Sequence, residues 1–88
     1  MLVMENCAMT LEIISPVKVL FNGKARLVRL PGAKAPFVVL HNHAPILAAL
    51  ERGTVVWEND DGESRLAVSG GFARVCENHV TLCVETEE

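Results

Sequence analysis

The fold of this chain is decided by residues 64–84, SRLAVSGGFARVCENHVTLCV. Apolar and polar residues alternate in Ser64–Ser69 and again in His79–Val84, and a period of two is typical of a strand with one face on a core. The pair Gly70-Gly71 is not followed by a helical pattern, so it predicts a β-bulge or a close backbone approach. With Glu77-Asn78 as a turn, this stretch predicts a strand before the glycines, a strand after them and a third strand after the turn.

The same alternation continues towards the N-terminus. Further strand-like runs occupy Thr10–Ser15, Val17–Phe21, Lys24–Leu30 and Thr54–Glu58, and turn signals stand at Asn22-Gly23, Pro31-Gly32 and Asn59–Gly62. Asn22-Gly23 favours a tight hairpin, and within Lys24–Leu30 the alternation puts Arg26 on the face of Val28 and Leu30. Ala44–Leu50 fits one helical turn or a strand. A strand about every ten residues predicts an all-β chain, a small flattened β-sandwich or barrel of about ten short strands.

Length and composition limit the functions open to the chain. Its 88 residues make one domain, expected over residues 9–88 after an N-terminal extension of uncertain order at residues 1–8. The net charge is −3 and the cations are scattered, so no nucleic acid is expected as a partner. No apolar run is long enough for a membrane helix, no signal peptide is recognisable, and the three cysteines suit a reducing compartment. Phosphate-loop and nucleophile-elbow signatures are absent, so the sequence carries no catalytic motif of these two kinds.

One cluster suggests metal chemistry. His41 and His43 would share a face if they lay on a strand, as metal ligands do in small β-barrel proteins of the cupin type. The cupin pattern also wants a glutamate where Ala48 stands, and a third histidine in a context that His79 lacks. A small cupin-like metal-binding β-barrel therefore stays as the alternative function, and a free-standing β-sandwich binding module as a third.

Three blocks, in order, carry a family resemblance. They are LEIISP with VLFNG at residues 11–16 and 19–23, LPGAKAPFVVLHNHAPIL at residues 30–47, and LAVSGGFARV with NHVTL at residues 66–75 and 78–82. From about Met9 to Val84 the chain resembles the N-terminal domain of the ATP synthase ε family, called δ in mitochondria. Ala35, Val38 and Asn42 stand where the family usually has glycine, and His41 where it has proline. Asn42 can adopt a positive φ, whereas the loop Ala33–Pro36 is expected to differ in shape from the family.

The resemblance implies a non-catalytic rotor subunit in the central stalk of an F-type ATP synthase. Such a subunit docks the γ subunit to the polar loops of the c-ring and helps couple ion flow to ATP synthesis. It implies a peripheral location on the cytoplasmic side of the bacterial plasma membrane, with no cofactor, no bound metal and no direct membrane insertion. Since the sequence stops after the last predicted strand, we expect it to lack the C-terminal helical arm that inhibits hydrolysis and senses ATP.

The resemblance also implies two docking sites. The γ-facing surface is expected at Ser15, His43, Ala48 and Ser69, and the c-ring-facing loop at Ala33, Lys34, Ala35 and Pro36.

Overall fold

A computed structural model describes residues 8–86, and the expected N-terminal extension lies outside them except for Ala8. The described residues form strands and no helix: β1 (Met9–Ile14), β2 (Val19–Ala25), β3 (Leu27–Leu30), β4 (Phe37–Leu40), β5 (Ile46–Leu50), β6 (Gly53–Asn59), β7 (Gly62–Cys76) and β8 (His79–Thr86). The all-β prediction is confirmed, with eight strands where the sequence predicted about ten.

The strands follow the order β2-β1-β8-β7-β6-β3-β4, with β5 paired to β7. The long strand β7 joins two halves, because its first part pairs with β6 and its second part lies between β5 and β8. Alternate side chains of β1 and β8 share one apolar cluster with those of β3 and β6. The two halves therefore enclose a single core, as in a β-sandwich.

The glycine pair allows β7 to pass from one half to the other. The register with β8 shifts between Val68 and Gly70, which confirms the predicted bulge. Gly71 has φ +147°, and a Cβ atom there would lie 2.2 Å from the carbonyl oxygen of Cys83. The predicted close backbone approach is therefore also confirmed, at the second glycine. Since the chain continues through this point as one strand, the prediction of two separate strands was wrong.

Two other local predictions were wrong. β2 runs straight through Asn22-Gly23, because both residues pair with β1, so no hairpin forms there. The chain turns instead at Arg26, whose backbone N–H donates to the carbonyl of Glu58 at 2.8 Å. The strand is interrupted at Arg26, so the alternation of inward and outward residues changes phase there. Ala25 and Val28 lie in the core and Arg26 is exposed, so the prediction that Arg26 shares the face of Val28 was wrong.

The remaining turns agree with the sequence. β3 ends immediately before Pro31-Gly32, and β6 and β7 are joined across Asp60-Asp61. Glu77 and Asn78 have φ values of 51° and 61° and connect β7 to β8. Ala44–Leu50, which the sequence left open, contains the strand β5.

Candidate docking surface

The outward face of one half carries an unbroken row of apolar side chains. Register partners link β5 to β7, β7 to β8, β8 to β1 and β1 to β2. Following one line of partners across these strands gives the apolar row, which consists of Ala49, Phe72, Cys83, Ile14 and Val19. Ala49, Phe72, Cys83 and Ile14 each stand next to a buried residue of their strand, so they point away from the core. Val19 joins the row where the register between β1 and β2 shifts at Ile13 and Ile14.

The apolar row is open to solvent. Phe72 is 59% exposed and Val19 58%, and Leu47, which lies beside the row on β5, is 73% exposed. Single exposed apolar residues are ordinary, but a contiguous group marks an interaction surface. Polar residues border the row on both sides: Glu85 lies above it, and Arg74 and Thr81 lie below it, next to the exposed Leu47. The row therefore has the apolar centre and polar rim of a protein interface.

Two of the predicted γ-facing residues lie at the upper end of this face. The Ser15 hydroxyl accepts hydrogen bonds from the backbone N–H groups of Val17 and Lys18, at 3.3 and 3.2 Å. Ser69 donates to the carbonyl oxygen of Glu85 at 3.2 Å. Ser15 and Glu85 line one hollow of about 460 Å³ together with Phe72. The fold thus brings Ser15 and Ser69 close to the apolar row, although the Ser15 hydroxyl serves a local turn and the Ser69 hydroxyl links β7 to β8.

His43 lies at the opposite end, in the connection before β5. Its ring Nδ1 is 2.7 Å from the carbonyl oxygen of Ala44. The preceding residue, Asn42, has φ 67°, which confirms that it adopts the positive φ expected of it. Asn42 donates its backbone N–H to the Asn78 amide oxygen at 2.6 Å, and the Asn78 amide donates back to the Asn42 amide oxygen at 3.0 Å. This amide clamp holds the turn after β4 against the β7–β8 turn.

Ala48 does not lie with the other predicted γ-facing residues. It is on the side of β5 away from the apolar row and lines a groove of about 490 Å³. The other wall of that groove is the loop of residues 33–36, which is the predicted c-ring-facing loop, and all four of its residues are exposed. Ala33 donates its backbone N–H to the carbonyl of Ala49 at 2.9 Å. Ala48 therefore shares a groove with the predicted c-ring-facing loop, away from Ser15 and Ser69, and Ala49 of the apolar row borders the same groove.

A model of the family described as "ATP synthase, Delta/Epsilon chain, beta-sandwich domain" matches residues 8–88. The chain belongs to this delta/epsilon family. The sequence-based resemblance is thereby confirmed.

Curated relatives in the epsilon family support this assignment. The chain is 31% identical over 86 residues to the ATP synthase epsilon chain of Syntrophomonas wolfei, covering 97% of this chain and 63% of that protein. It is 37% identical over 81 residues to the epsilon chain of Anaeromyxobacter sp., covering 92% and 61%. The chain thus spans less than two thirds of the length of these relatives.

Chains in two solved structures of ATP synthases have the same fold. A chain of the mitochondrial ATP synthase of Euglena gracilis superposes with a TM-score of 0.83 at 18% identity, covering 90% of this chain and 51% of that one. A chain from the central stalk and c-ring of the Tetrahymena thermophila mitochondrial enzyme gives 0.74 at 18% identity, with coverage of 88% and 63%. At this identity the likeness concerns the fold alone.

The geometry behind the metal hypothesis is absent from this epsilon-family domain. His41 and Asn42 form a turn, so His41 and His43 do not stand side by side on a strand. Within residues 8–86, no three histidine, cysteine or acidic side chains gather as metal ligands would. In the same residues there is no helix that could cross a membrane.

The members of the apolar row were missed in the sequence. Each is an apolar residue at a position where strand alternation calls for a polar one, as Ile14 is after Glu12 in β1 and Cys83 is after Thr81 in β8. That departure was visible in the sequence. What the sequence could not supply is the register that aligns these positions across strands.

Proposed function

We propose that this domain is a non-catalytic rotor subunit of the central stalk of an F-type ATP synthase. In this function it docks the γ subunit to the c-ring and helps couple ion flow to ATP synthesis, at the cytoplasmic side of the bacterial plasma membrane. The observation that carries the proposal is the apolar row, which is built for contact with another protein. Membership of the delta/epsilon family and the epsilon-chain relatives support the assignment to an ATP synthase.

A rotor joint requires a stiff body with two interfaces, and two features of this fold support that function. The core is a single cluster to which both halves of the sandwich contribute, and close-packed cores resist deformation. The apolar row covers the outward face of one half, and the groove with residues 33–36 runs along the edge of β5 that does not pair with β7, where Ala49 of the row also lines it. Torque applied at one surface is therefore transmitted to the other through packed strands.

We assign the γ subunit to the apolar row, with Ser15 and Ser69 at its upper end and His43 at the start of β5. The c-ring loops are assigned to Ala33–Pro36, which are exposed and include the single cation Lys34. Ala48 was predicted to face γ, but it shares the groove with the c-ring-facing loop. A substitution at Ala48 therefore distinguishes whether that groove serves γ or the c-ring.

The test is binding of the purified chain to a recombinant γ subunit from the same organism, by calorimetry or co-elution. A stoichiometric complex is expected. Phe72→Glu should weaken it by about a hundredfold, because a buried charge replaces a central apolar contact. Val38→Glu is the matched control, since Val38 is 40% exposed on the other half of the sandwich. It should leave the affinity unchanged.

Ala48→Glu is the second variant. Lost γ binding would place the groove in the γ interface, whereas unchanged affinity would leave it to the c-ring. If the folded wild-type chain does not bind γ at all, the rotor function is wrong. The family likeness would then describe the fold only, and a free-standing β-sandwich binding module would take its place.

A further inference from the structure

The amide clamp between Asn42 and Asn78 joins two turns of different type. The His43 backbone N–H donates to the Leu40 carbonyl at 3.0 Å, and Asn42, the third residue of that turn, has φ 67°, as a type II turn requires. Glu77 and Asn78 have φ values of 51° and 61°, as the two central residues of a type I′ hairpin turn require. The clamp therefore brings together the three residues other than glycine that have a positive φ within residues 8–86.

The two sides of the clamp belong to different halves of the sandwich. Asn78 lies in the turn between β7 and β8, which pair with each other, and its backbone carbonyl accepts the Thr10 N–H of β1 at 2.9 Å. Asn42 follows β4, which ends the strand order of the other half, and here the chain crosses over to β5. The clamp therefore ties this crossing to the paired strands β7, β8 and β1.

The crossing segment, residues 41–45, has little else to hold its backbone. Among the described residues, the bond from His43 to Leu40 is the only backbone–backbone hydrogen bond that it makes, and Pro45 has no N–H to donate. His43 is half-buried and the other four residues are exposed. A segment with few backbone hydrogen bonds and little burial opens easily. The two clamp bonds, at 2.6 and 3.0 Å, are therefore what holds the segment against the other half.

We propose that Asn42 and Asn78 are positioning residues, which hold the crossing segment in the conformation that binds the γ subunit. The inference rests on the proposed function, in which His43 contacts γ. Because Asn42 directly precedes His43, the clamp fixes the backbone from which the imidazole projects. A segment that already has its bound conformation loses less conformational freedom on docking, and affinity rises accordingly. The clamp thus acts on binding through His43.

Asn78→Gly tests this role, because glycine keeps the positive φ of the turn while both clamp bonds are lost. With recombinant γ as the probe, calorimetry should show an affinity about fivefold to tenfold lower than that of the wild type, since the binding conformation is then only fractionally populated. Asn78→Asp should recover most of this loss, because a carboxylate oxygen still accepts the Asn42 N–H. Equal weakening by glycine and aspartate would overturn the clamp as the cause.

Asn59→Ala is the matched control. It also removes two side-chain hydrogen bonds, one from the Asp61 N–H at 2.8 Å and one to the Lys24 carbonyl at 3.3 Å. These bonds lie at the β6–β7 turn, the opposite end of β7 from the clamp. The affinity for γ should therefore stay at the wild-type value. The same loss of affinity in this variant as in Asn78→Gly would mean that binding follows overall stability, and it would overturn the positioning role.

Hydrogen exchange of the free chain shows whether the clamp acts on conformation. In Asn78→Gly the His43 amide should exchange faster by a larger factor than the amides of β7, whereas Asn59→Ala should not single out this amide. A His43 amide that keeps its protection while affinity falls would overturn the proposal. So would a freed His43 amide with wild-type affinity.

The positioning role and the proposed function fail in different ways. If the folded wild-type chain does not bind γ, the rotor function is wrong and the docking role of the clamp falls with it. If the wild-type chain binds and Asn78→Gly binds equally well, only the positioning role is overturned.

Discussion

At the scale of single residues, Gly71 is the glycine at which an added side chain would clash most severely. Its φ of +147° is one that side-chain-bearing residues rarely adopt, and a Cβ atom would lie 2.2 Å from the Cys83 oxygen and 2.8 Å from the Val84 Cα. Both obstacles are backbone atoms of β8, which cannot rotate away. Gly71→Ala should therefore reduce the free energy of unfolding by about 3 kcal/mol or more.

The neighbouring glycine supplies the control. At Gly70 an added Cβ would meet only the Leu50 carbonyl oxygen, at 3.6 Å, which is an ordinary contact. Gly70→Ala should change the free energy of unfolding by less than about 1 kcal/mol, since alanine also restricts the unfolded chain. Urea titrations of both variants measure the difference. Equal costs would mean that β7 and β8 are further apart at this point than the structure has them.

The amide clamp is the second residue-scale feature with a measurable cost. Asn42 and Asn78 both have positive φ values, so glycine is the substitution that removes the side chain without backbone strain. Asn78→Gly breaks both hydrogen bonds of the clamp, and Asn42→Gly breaks one of them. At about 1 kcal/mol per bond, Asn78→Gly should cost more than Asn42→Gly.

A double-mutant cycle checks this clamp. In the Asn78→Gly background, Asn42→Gly should cost almost nothing further, which gives a coupling energy of about 0.5–1.5 kcal/mol. Additive costs would contradict the clamp, because they would mean that the two amides stabilise the turns independently.

At the scale of elements, the sequence predicted what local chemistry controls. The alternation in β1 and β8 determined which residues face the core, and Met9, Leu11, Val80 and Leu82 are all buried. The turn prediction failed at Asn22-Gly23, because the hairpin signal is local but pairing with β1 prevails. The facing prediction failed at Arg26, where the alternation breaks beside a hydrogen bond to Glu58, far along the chain.

The docking surface illustrates the same limit. Ser15 and Ser69 could be placed near a surface because they stand in recognisable sequence blocks. The apolar row could not be assembled, since it joins β5, β7, β8, β1 and β2, and each register is set by long-range pairing. The same reason explains Ala48. It follows the sequence block that contains His43, yet in the fold it lines the groove with residues 33–36.

Strand pairing also predicts which backbone amides exchange slowly. β7 from Gly71 to Val75 lies between β5 and β8, so each of its amides faces a neighbouring strand, on one side or the other. β4 pairs only with β3, and every second amide faces outward. Hydrogen exchange followed by NMR should show protection along Gly71–Val75 and fast exchange at alternate amides of β4. Uniform protection of β4 would contradict this and show that its outer edge is covered in solution.

At the scale of the whole molecule, the two thiols in the described residues report on docking. Cys83 is exposed within the apolar row, whereas Cys76 is partly buried near the β7–β8 turn. In a Cys7→Ser background, which removes the third thiol, an alkylating reagent should modify Cys83 faster than Cys76 in the free chain. When γ is bound, the rate at Cys83 should fall by about tenfold or more, because an interface core excludes solvent, and the rate at Cys76 should change much less.

Mass spectrometry of the alkylated peptides measures both rates in the same sample, so Cys76 is an internal control for changes in reagent or stability. A complex in which Cys83 keeps its free rate would show that γ docks elsewhere on the domain. The groove between β5 and residues 33–36 would then be the γ surface, and Ala48→Glu would become the variant that abolishes binding. Protection of both thiols to the same degree would instead indicate that γ stabilises the whole sandwich, and Phe72→Glu would decide whether the apolar row is in contact.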